Sequence, residues 1–251
     1  MSFKALLFAA VAASAVAAAP ASATVYGVFG DGANASVSVI TAQGDTATVL
    51  ADLSAASLGG INVLWVLNGN NGAQTPDLSA NAGAVASFVS AGGTFSYHDR
   101  NVTDAAAAVP GGSGISFVRA TTNNIDVATS GTALTNGPGG TINDTTLDNG
   151  GFSAHGYADT ATLPAGATTL LSNGIPGQAV AFSYQDGGGH VYYSSIPLDF
   201  YLGRGSSFDT VYAPNLVAYL DALSATPVPE PASMMLLAMG LLGFGLIRQR
   251  R

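Results

Sequence analysis

The sequence predicts an α/β domain with a mostly parallel sheet, helices on both of its faces and a β-rich second half. Residues 61–67 form a nearly continuous apolar run, as in a strand that is covered on both faces. Between residues 25 and 97, short apolar runs alternate with helix-like stretches, the order typical of parallel sheets. From Gly111 onward the chain is richer in Gly, Asn and Thr, and its apolar runs are shorter.

The first half contains four predicted strands and two predicted helices. The strands are 25–29, 46–50, 61–67 and 94–97, and the first helix is 34–42, where the apolar spacing is ambiguous. The second helix begins with Thr75 as N-cap and Pro76 at the first helical position, and it ends at Gly92-Gly93.

The second half contains shorter predicted strands and one further helix. The strands are 115–119, 168–171, 179–184 and 191–195, with a Gly-rich hairpin turn between the last two. Residues 129–151 are expected to be a surface excursion. The last helix is predicted to begin at Pro214.

Charge and composition exclude several classes of function. The chain has 251 residues, a formal net charge of −8 and no Cys. Residues 24–227 contain three Arg and fourteen Asp, so this part carries a net charge of 3 − 14 = −11. Such a surface repels phosphate backbones, which argues against a nucleic-acid partner. The lack of Cys excludes thiol catalysis and Cys-ligated metal sites, and no motif calls for a cofactor.

The first 23 residues have the features of a secretory signal peptide. Lys4 precedes an apolar stretch over residues 5–19, and the segment ends in Ala21-Ser22-Ala23. This pattern predicts cleavage by signal peptidase after Ala23. Residues 24–225 would then be the exported domain.

Residues 226–251 form a tail with three ordered parts. Pro229, Glu230 and Pro231 precede the uncharged, mostly apolar stretch 232–247, and the basic cluster Arg248, Arg250 and Arg251 follows. A helix of this length spans about 24 Å, slightly less than a bilayer core of about 30 Å, and snorkelling Arg side chains extend its reach. We expect a transmembrane helix in the inner membrane, with the basic end in the cytoplasm.

Over residues 228–251 this tail resembles the PEP-CTERM sorting signal. The resemblance implies recognition by an exosortase, a membrane enzyme that processes the tail near Pro229-Glu230-Pro231, with Glu230 as a recognition residue. It also implies export across the inner membrane, transient anchoring by the helix, and a final place at the cell surface or in an extracellular, biofilm-type matrix, where extracellular polysaccharide is a candidate partner.

The middle of the chain resembles the class I glutamine-amidotransferase-like fold, a flavodoxin-like arrangement. The similar parts are residues 61–67 with their Gly/Asn loop, the helix ending in Ala91-Gly92-Gly93, the strand 94–97, and residues 189–198. Where that family has a Cys nucleophile, this chain has Tyr97-His98-Asp99-Arg100. Amidotransferase activity is therefore not carried over.

Three residues are weak catalytic candidates: His98, Asp99 and His155. His98-Asp99-Arg100-Asn101 follows the predicted strand 94–97 at its carboxyl end, where open α/β sheets bind ligands. His can act as acid or base, Asp can orient it, and Arg can hold a carboxylate or a phosphate. Neighbours in a strand point to opposite faces, however, so a turn fixed by Asp99 and Arg100 is the alternative. His155 lies in a Gly- and Ser-rich segment without a nucleophile motif.

Asp144 and Asp148 are weak candidates for Ca²⁺ ligands, with Asp126 and Asn149 nearby. Carboxylate and amide oxygens suit this cation, but the spacing matches no calcium loop. Side chains that cap turns are the alternative, so no metal site is assigned.

The sequence thus predicts an exported, exosortase-processed surface or matrix protein without catalytic activity, because it contains no recognisable catalytic motif. One alternative is an exported hydrolase or carbohydrate-active enzyme that uses the region of His98 and Asp99. Another is a calcium- or glycan-binding module.

Overall fold

The computed structural model describes residues 23–148 and 150–225. In these residues the strands are β1 (Val25–Gly30), β2 (Thr46–Val49), β3 (Val63–Asn68), β4 (Thr94–Asp99), β5 (Phe117–Thr122), β6 (Asp126–Val127), β7 (Asn136–Gly137), β8 (Gly140–Thr141), β9 (Ala154–Asp159), β10 (Thr168–Ser172), β11 (Gln178–Asp186) and β12 (Gly189–Ser194). The α-helices are α1 (Ala33–Ala42), α2 (Pro76–Ala80), α3 (Ala82–Ser90), α4 (Ala105–Ala108), α5 (Leu198–Tyr201) and α6 (Ala213–Ser224). A 3₁₀ turn (Thr160–Thr162) and a π-helical turn (Phe208–Tyr212) complete the elements.

One large mixed sheet organises these elements. β2, β1, β3, β4 and β12 pair in parallel in that order. β11, β10 and β6 continue the sheet with antiparallel pairing, while β9 pairs with both β11 and β5. The predicted mixed α/β fold with a mostly parallel central sheet is confirmed.

Helices cover both faces of the parallel strands, because side chains alternate along each strand. On one face Trp65 of β3 lies in a core with Ile40 of α1 and Leu216 of α6. On the other face Leu64 of β3 lies in a second core with Val89 of α3. All six side chains of β3 are buried. The apolar run predicted this for residues 63–67, but the strand begins two residues later than expected and ends at Asn68.

Two elements of the first half differ from their predictions. The single helix expected after Thr75 is divided at Asn81 into α2 and α3, and the Thr75 side chain makes no capping hydrogen bond. The strand expected to end at Tyr97 continues to Asp99, because His98 and Asp99 pair with Leu67 and Asn68 of β3. Both candidate residues therefore belong to the strand and do not follow it.

The expectation that residues 129–151 form a surface excursion is wrong in part. Leu134, Ile142 and Leu147 are buried and join the core beneath α6. Asn215 of α6 donates hydrogen bonds to the carbonyl oxygens of Leu134 and Gly140, at 3.0 and 2.8 Å. A polar side chain thus ties this Gly-rich segment to a helix more than seventy residues later.

Strand β9 had no counterpart in the sequence prediction. Its residues Ala-His-Gly-Tyr-Ala-Asp have weak β-propensity, yet β9 pairs with β5 and β11. Tertiary pairing therefore overrides local preference here.

Both predicted terminal signals lie almost wholly outside the described residues. This holds for residues 1–22, for the sorting motif Pro229-Glu230-Pro231, for the expected transmembrane helix 232–247 and for the basic cluster that follows it. Within the described part of the chain, no helix is both long enough and apolar enough to span a membrane.

Candidate functional site

A cavity of about 590 Å³ opens at the carboxyl edge of the parallel strands. Its polar wall includes Asn71 after β3, Arg100 after β4, Arg119 of β5 and His155 of β9. Phe152, Phe200 and Tyr201 supply aromatic surface. Its volume lies within the range of about 300–1,000 Å³ for small-molecule sites. Ligands of open α/β folds bind at this edge of the sheet.

Arg100 is held at the cavity by an ion pair with Asp199. Its Nε donates to Asp199 Oδ1 at 2.9 Å and its Nη2 donates to Oδ2 at 2.5 Å. Only 17% of the Arg100 side chain and 9% of the Asp199 side chain are exposed. The bidentate geometry compensates the charge of Arg100.

Arg119 lies on the cavity wall without a carboxylate partner. Its Nη1 donates to the carbonyl oxygens of Arg100 and Asn101, and its Nη2 donates to Asn71 Oδ1 at 3.1 Å. Arg100–Asp199 is the single ion pair in the described part of the chain. The positive charge of Arg119 is therefore fixed in place but uncompensated.

Each carboxylate oxygen of Asp99 accepts two hydrogen bonds. Its Oδ1 accepts from Asn68 Nδ2 and from the backbone N–H of Asn101, both at 2.9 Å. Its Oδ2 accepts from Gln74 Nε2 and from the backbone N–H of Val102, both at 3.0 Å. Burial raises the pKa of Asp99, while these donors act in the opposite direction.

The loop after β4 contains a strained residue that Asp99 stabilises. Val102 has φ = 64°, a left-handed conformation that is unfavourable for a β-branched side chain. Because Asp99 binds the N–H groups of Asn101 and Val102, it fixes the path of the chain directly after Arg100. The arrangement makes Asp99 a positioning residue for the cavity wall.

His98 lies in the core on the opposite face from Asp99. Its ring stacks on Trp65 at 5.8 Å between centroids and contacts Tyr192 and Tyr212 at 5.9 and 6.0 Å. Neither ring nitrogen has a hydrogen-bond partner. Burial lowers the pKa of His98 to about 3, although the polar backbone of Ile196 acts to raise it. His98 does not line the cavity.

His155 is the candidate that the fold places at the cavity. Its backbone N–H donates to the Ser195 carbonyl oxygen at 2.9 Å, which holds β9 next to the end of β12. Burial lowers the pKa of His155, and the charges of Arg119 and Arg100 lower it further. The structure thus brings His155 near the two arginines, and it separates His98 from Asp99.

Sequence reasoning missed Arg119, Asp199 and Phe200. Residues 24–227 contain only three Arg, and all three gather at this edge: Arg100 and Arg119 line the cavity, and Arg204 Cζ lies 4.3 Å from the Phe200 ring centroid. The scarcity of cations was a visible signal, but their convergence needed the tertiary structure.

The candidate calcium ligands Asp144 and Asp148 accept hydrogen bonds from backbone N–H groups of the fold. Asp144 Oδ1 accepts the backbone N–H of Val127 at 2.9 Å, and Asp148 Oδ1 accepts that of Ile125 at 2.8 Å. Asn149 lies outside the described residues. Across residues 23–148 and 150–225, no group of three or more His, Asp or Glu side chains is placed to hold a metal ion.

The tail matches a known family model. Residues 227–251 match the PEP-CTERM protein-sorting motif. The chain carries an exosortase sorting signal. This match supports an exported protein that an exosortase processes and sorts to the cell surface. Among curated proteins, no sequence matches the chain.

Solved structures resemble this chain in fold only. Two cytoplasmic proteins of Salmonella typhimurium, STM3548 and STM1381 (the latter from strain LT2), each have a TM-score of 0.50 and 11% identity. The matches cover 80% of this chain and 98% and 99% of theirs. An exo-beta-1,4-mannosidase from Opitutaceae bacterium strain TAV5 has a TM-score of 0.46 and 11% identity, over 80% of this chain and 36% of the mannosidase. Neither Salmonella protein is described as an amidotransferase, so these matches do not confirm that resemblance.

Proposed function

We propose that the chain is an exported, exosortase-processed protein whose domain, residues 24–225, acts as a non-catalytic binding module at the cell surface or in the extracellular matrix. The sorting motif at residues 227–251 supports the sorting part of this proposal. Signal peptidase would cut after Ala23. The helix 232–247, stopped by Arg248, Arg250 and Arg251, would anchor the protein in the inner membrane until the exosortase acts.

The observation that carries the binding role is the composition of the cavity wall. It presents a fixed, uncompensated Arg119 and exposed aromatic rings, but none of its described lining residues is a carboxylate. Asp199, whose charge acts on His155, is bound to Arg100. General acid–base catalysis needs a group that is free to exchange a proton. Fixed donors and aromatic surface suffice for binding.

The amidotransferase-like fold of the domain is part of this proposal, but amidotransferase activity is not. The strand order β2-β1-β3-β4-β12, with helices on both faces, favours a flavodoxin-like arrangement. At the carboxyl end of β4 the chain has His98-Asp99-Arg100 in place of a nucleophile.

The sorting proposal is tested in an exosortase-containing host with the full chain. Deletion of residues 228–251, or replacement of Pro229, Glu230 and Pro231 by Ala, should abolish tail processing and surface retention. Gln249→Ala, in the same tail but outside Pro229-Glu230-Pro231 and not one of the arginines, serves as the matched control and should be processed normally. An unchanged mature mass and location in the deletion variant would disprove the sorting role.

An exported hydrolase is the second candidate, and the position of His155 favours it. His155 lines the cavity, and its Nδ1 has no hydrogen-bond partner. The full chain is screened against polysaccharides and esters. Turnover that is lost in His155→Gln, but kept in the matched variant His190→Gln, would establish the hydrolase. No turnover with any substrate supports the binding module.

A further inference from the structure

We propose that the cavity binds a monocarboxylate carried on a six-membered ring, with the carboxylate at Arg119 and the ring against Phe152 and Phe200. This inference rests on the proposed binding role of the same cavity. The ligand is either a sugar acid or an aromatic acid, two sources of the same chemistry.

The charge of the cavity selects an anion with a single charge. Residues 24–227 carry −11 overall, so a bound anion needs a local cation. Arg100 is neutralised by Asp199 and Arg204 does not line the cavity, so Arg119 is the one uncompensated positive charge among the described lining residues. One charge matches a carboxylate better than a phosphate dianion.

Arg119 retains the donors that a carboxylate requires. A guanidinium has five N–H donors, and three hydrogen bonds of Arg119 go to Arg100, Asn101 and Asn71. In the described part of the chain, Nε–H and one N–H of Nη2 have no partner. Arg100 binds Asp199 through the same two nitrogens, so a carboxylate can bind Arg119 in the same bidentate way beside Asn71 or in its place.

Aromatic surface at the cavity fits a ring. Phe152 and Phe200 are 57% and 44% exposed, and they are the two aromatic residues among the exposed large hydrophobic side chains of the described part of the chain. Arg204 and Arg100 lie over the Phe200 ring at 4.3 and 5.7 Å from its centroid. These contacts hold Phe200 in place, and a held aromatic ring provides a stacking surface with little loss of entropy on binding.

The test is calorimetric titration of the full chain in detergent with D-glucuronate, benzoate, D-glucose and inorganic phosphate. We expect glucuronate or benzoate to bind at least ten-fold more tightly than glucose and phosphate, and the tighter of the two identifies the source. Arg119→Gln should weaken binding at least ten-fold. Arg248→Gln, which removes an arginine of the tail outside the domain, should change it less than two-fold.

Other outcomes separate the two proposals. Equal or tighter binding of glucose or phosphate, or binding that Arg119→Gln does not change, overturns the carboxylate assignment but keeps the binding module. If none of the four compounds binds, the carboxylate assignment fails. If a panel of neutral glycans also fails to bind, the binding role of the cavity fails with it.

A separate observation concerns the start of the mature domain. We infer that removal of residues 1–23 creates an α-ammonium group at Thr24 that forms an ion pair with Asp45, next to Asp221. The backbone nitrogen of Thr24 already donates to Asp45 Oδ1 at 2.9 Å, and its carbonyl oxygen accepts the N–H of Thr46 at 3.0 Å.

Among the described residues, neither Asp45 nor Asp221 has an ion-pair partner. Asp221 Oδ1 accepts a hydrogen bond from the buried Tyr26 hydroxyl at 2.7 Å. Burial raises the pKa of Asp221, and the neighbouring Asp45 raises it further, while hydrogen bonds from Tyr26 and Thr24 act in the opposite direction. No Lys or Arg of the described residues pairs with either carboxylate. A charged amine at Thr24 would reduce the repulsion between the carboxylates of Asp45 and Asp221.

The sequence offers a direct test of this ion pair. Lys4 is the only Lys, so a chain cut after Ala23 has its N-terminus as its only primary amine. The exported protein is labelled with an amine-reactive ester over a range of pH, and mass spectrometry gives its first residue. We expect Thr24, with a labelling midpoint about one pH unit above the ordinary α-amino value of about 7.7–8.0.

Matched variants complete the test. Asp45→Asn should return the midpoint to the ordinary range, while Asp77→Asn, an exposed carboxylate on α2, should not. A different first residue, or an ordinary midpoint in the unaltered protein, overturns the inference.

Discussion

Asp199 accepts two hydrogen bonds from the guanidinium of Arg100, a residue 99 positions earlier in the chain. Arg100 directly follows β4, and Asp199 lies in α5, which begins four residues after the end of β12. β4 and β12 are neighbours in the sheet. The ion pair therefore connects the carboxyl ends of two parallel strands, and its Arg100 side chain lines the cavity.

Asp199→Asn should destabilise the protein because it leaves the charge of Arg100 without its partner. Since both side chains are mostly but not fully buried, we expect a loss of about 1–3 kcal/mol of unfolding free energy, less than for a fully buried pair. Denaturant unfolding measures it. Asp209→Asn, whose carboxylate accepts an exposed hydrogen bond from Gly205, is the control. Equal stability of the two variants would contradict the structural role of the pair.

Asp99→Asn should lower the free energy of unfolding considerably, even though Asn and Asp have nearly the same shape. All four groups bound to Asp99 are N–H donors, and an amide nitrogen cannot accept from two of them. We expect a loss of about 2–4 kcal/mol in unfolding free energy. Asp104→Asn is the comparison, since Asp104 accepts one long hydrogen bond of 3.3 Å from Asn101 Nδ2. A loss below that of the Asp104 variant would refute the positioning role of Asp99.

The buried His98 should make stability depend on pH. Its pKa falls from 6.5 to about 3 on folding, so below pH 6.5 the unfolded chain binds a proton that the folded chain does not. The stability from neutral His98 is complete above pH 6.5 and is lost toward pH 3, by about 1.4 kcal/mol per pH unit. Unfolding free energies measured between pH 4 and 7 should show this slope.

The variant His98→Phe separates this slope from other titrating groups. Phe keeps an aromatic ring against Trp65 and Tyr192 but does not titrate. The difference between the two proteins should therefore grow as the pH falls. If the unfolding free energies of the two proteins change in parallel with pH, then His98 is solvated or charged in the folded state.

Gly189→Ala should weaken the junction between the hairpin and α3. A Cβ at Gly189 would lie 2.1 Å from the Gly93 carbonyl oxygen and 2.3 Å from that of Val89, and backbone cannot move aside as a side chain can. We expect a cost of about 1–3 kcal/mol, typical of overpacking. Gly114→Ala, where a Cβ meets nothing within 4 Å, should change the melting temperature little. Thermal unfolding compares the two, and similar shifts would contradict the close approach.

Local pattern was sufficient for much of the fold. The apolar run at residues 61–67 identified the buried central strand, and the Gly-rich turn after Gln185 identified the β11–β12 hairpin. These features depend on neighbouring residues alone. Strand β9 and the buried part of residues 129–151 were not predicted, because their stability comes from β5, β11 and Asn215, which are distant in sequence.

The sequence by itself determined the sorting signal, the acidic charge and the central α/β order. These are properties of composition, of contiguous motifs and of short-range periodicity. Tertiary structure alone decided the candidate site: it placed His98 in the core and brought Arg100, Arg119, His155 and Phe200 to one cavity. The physical reason is that alternation along β4 sends adjacent side chains to opposite faces, while strand pairing joins residues from distant parts of the chain.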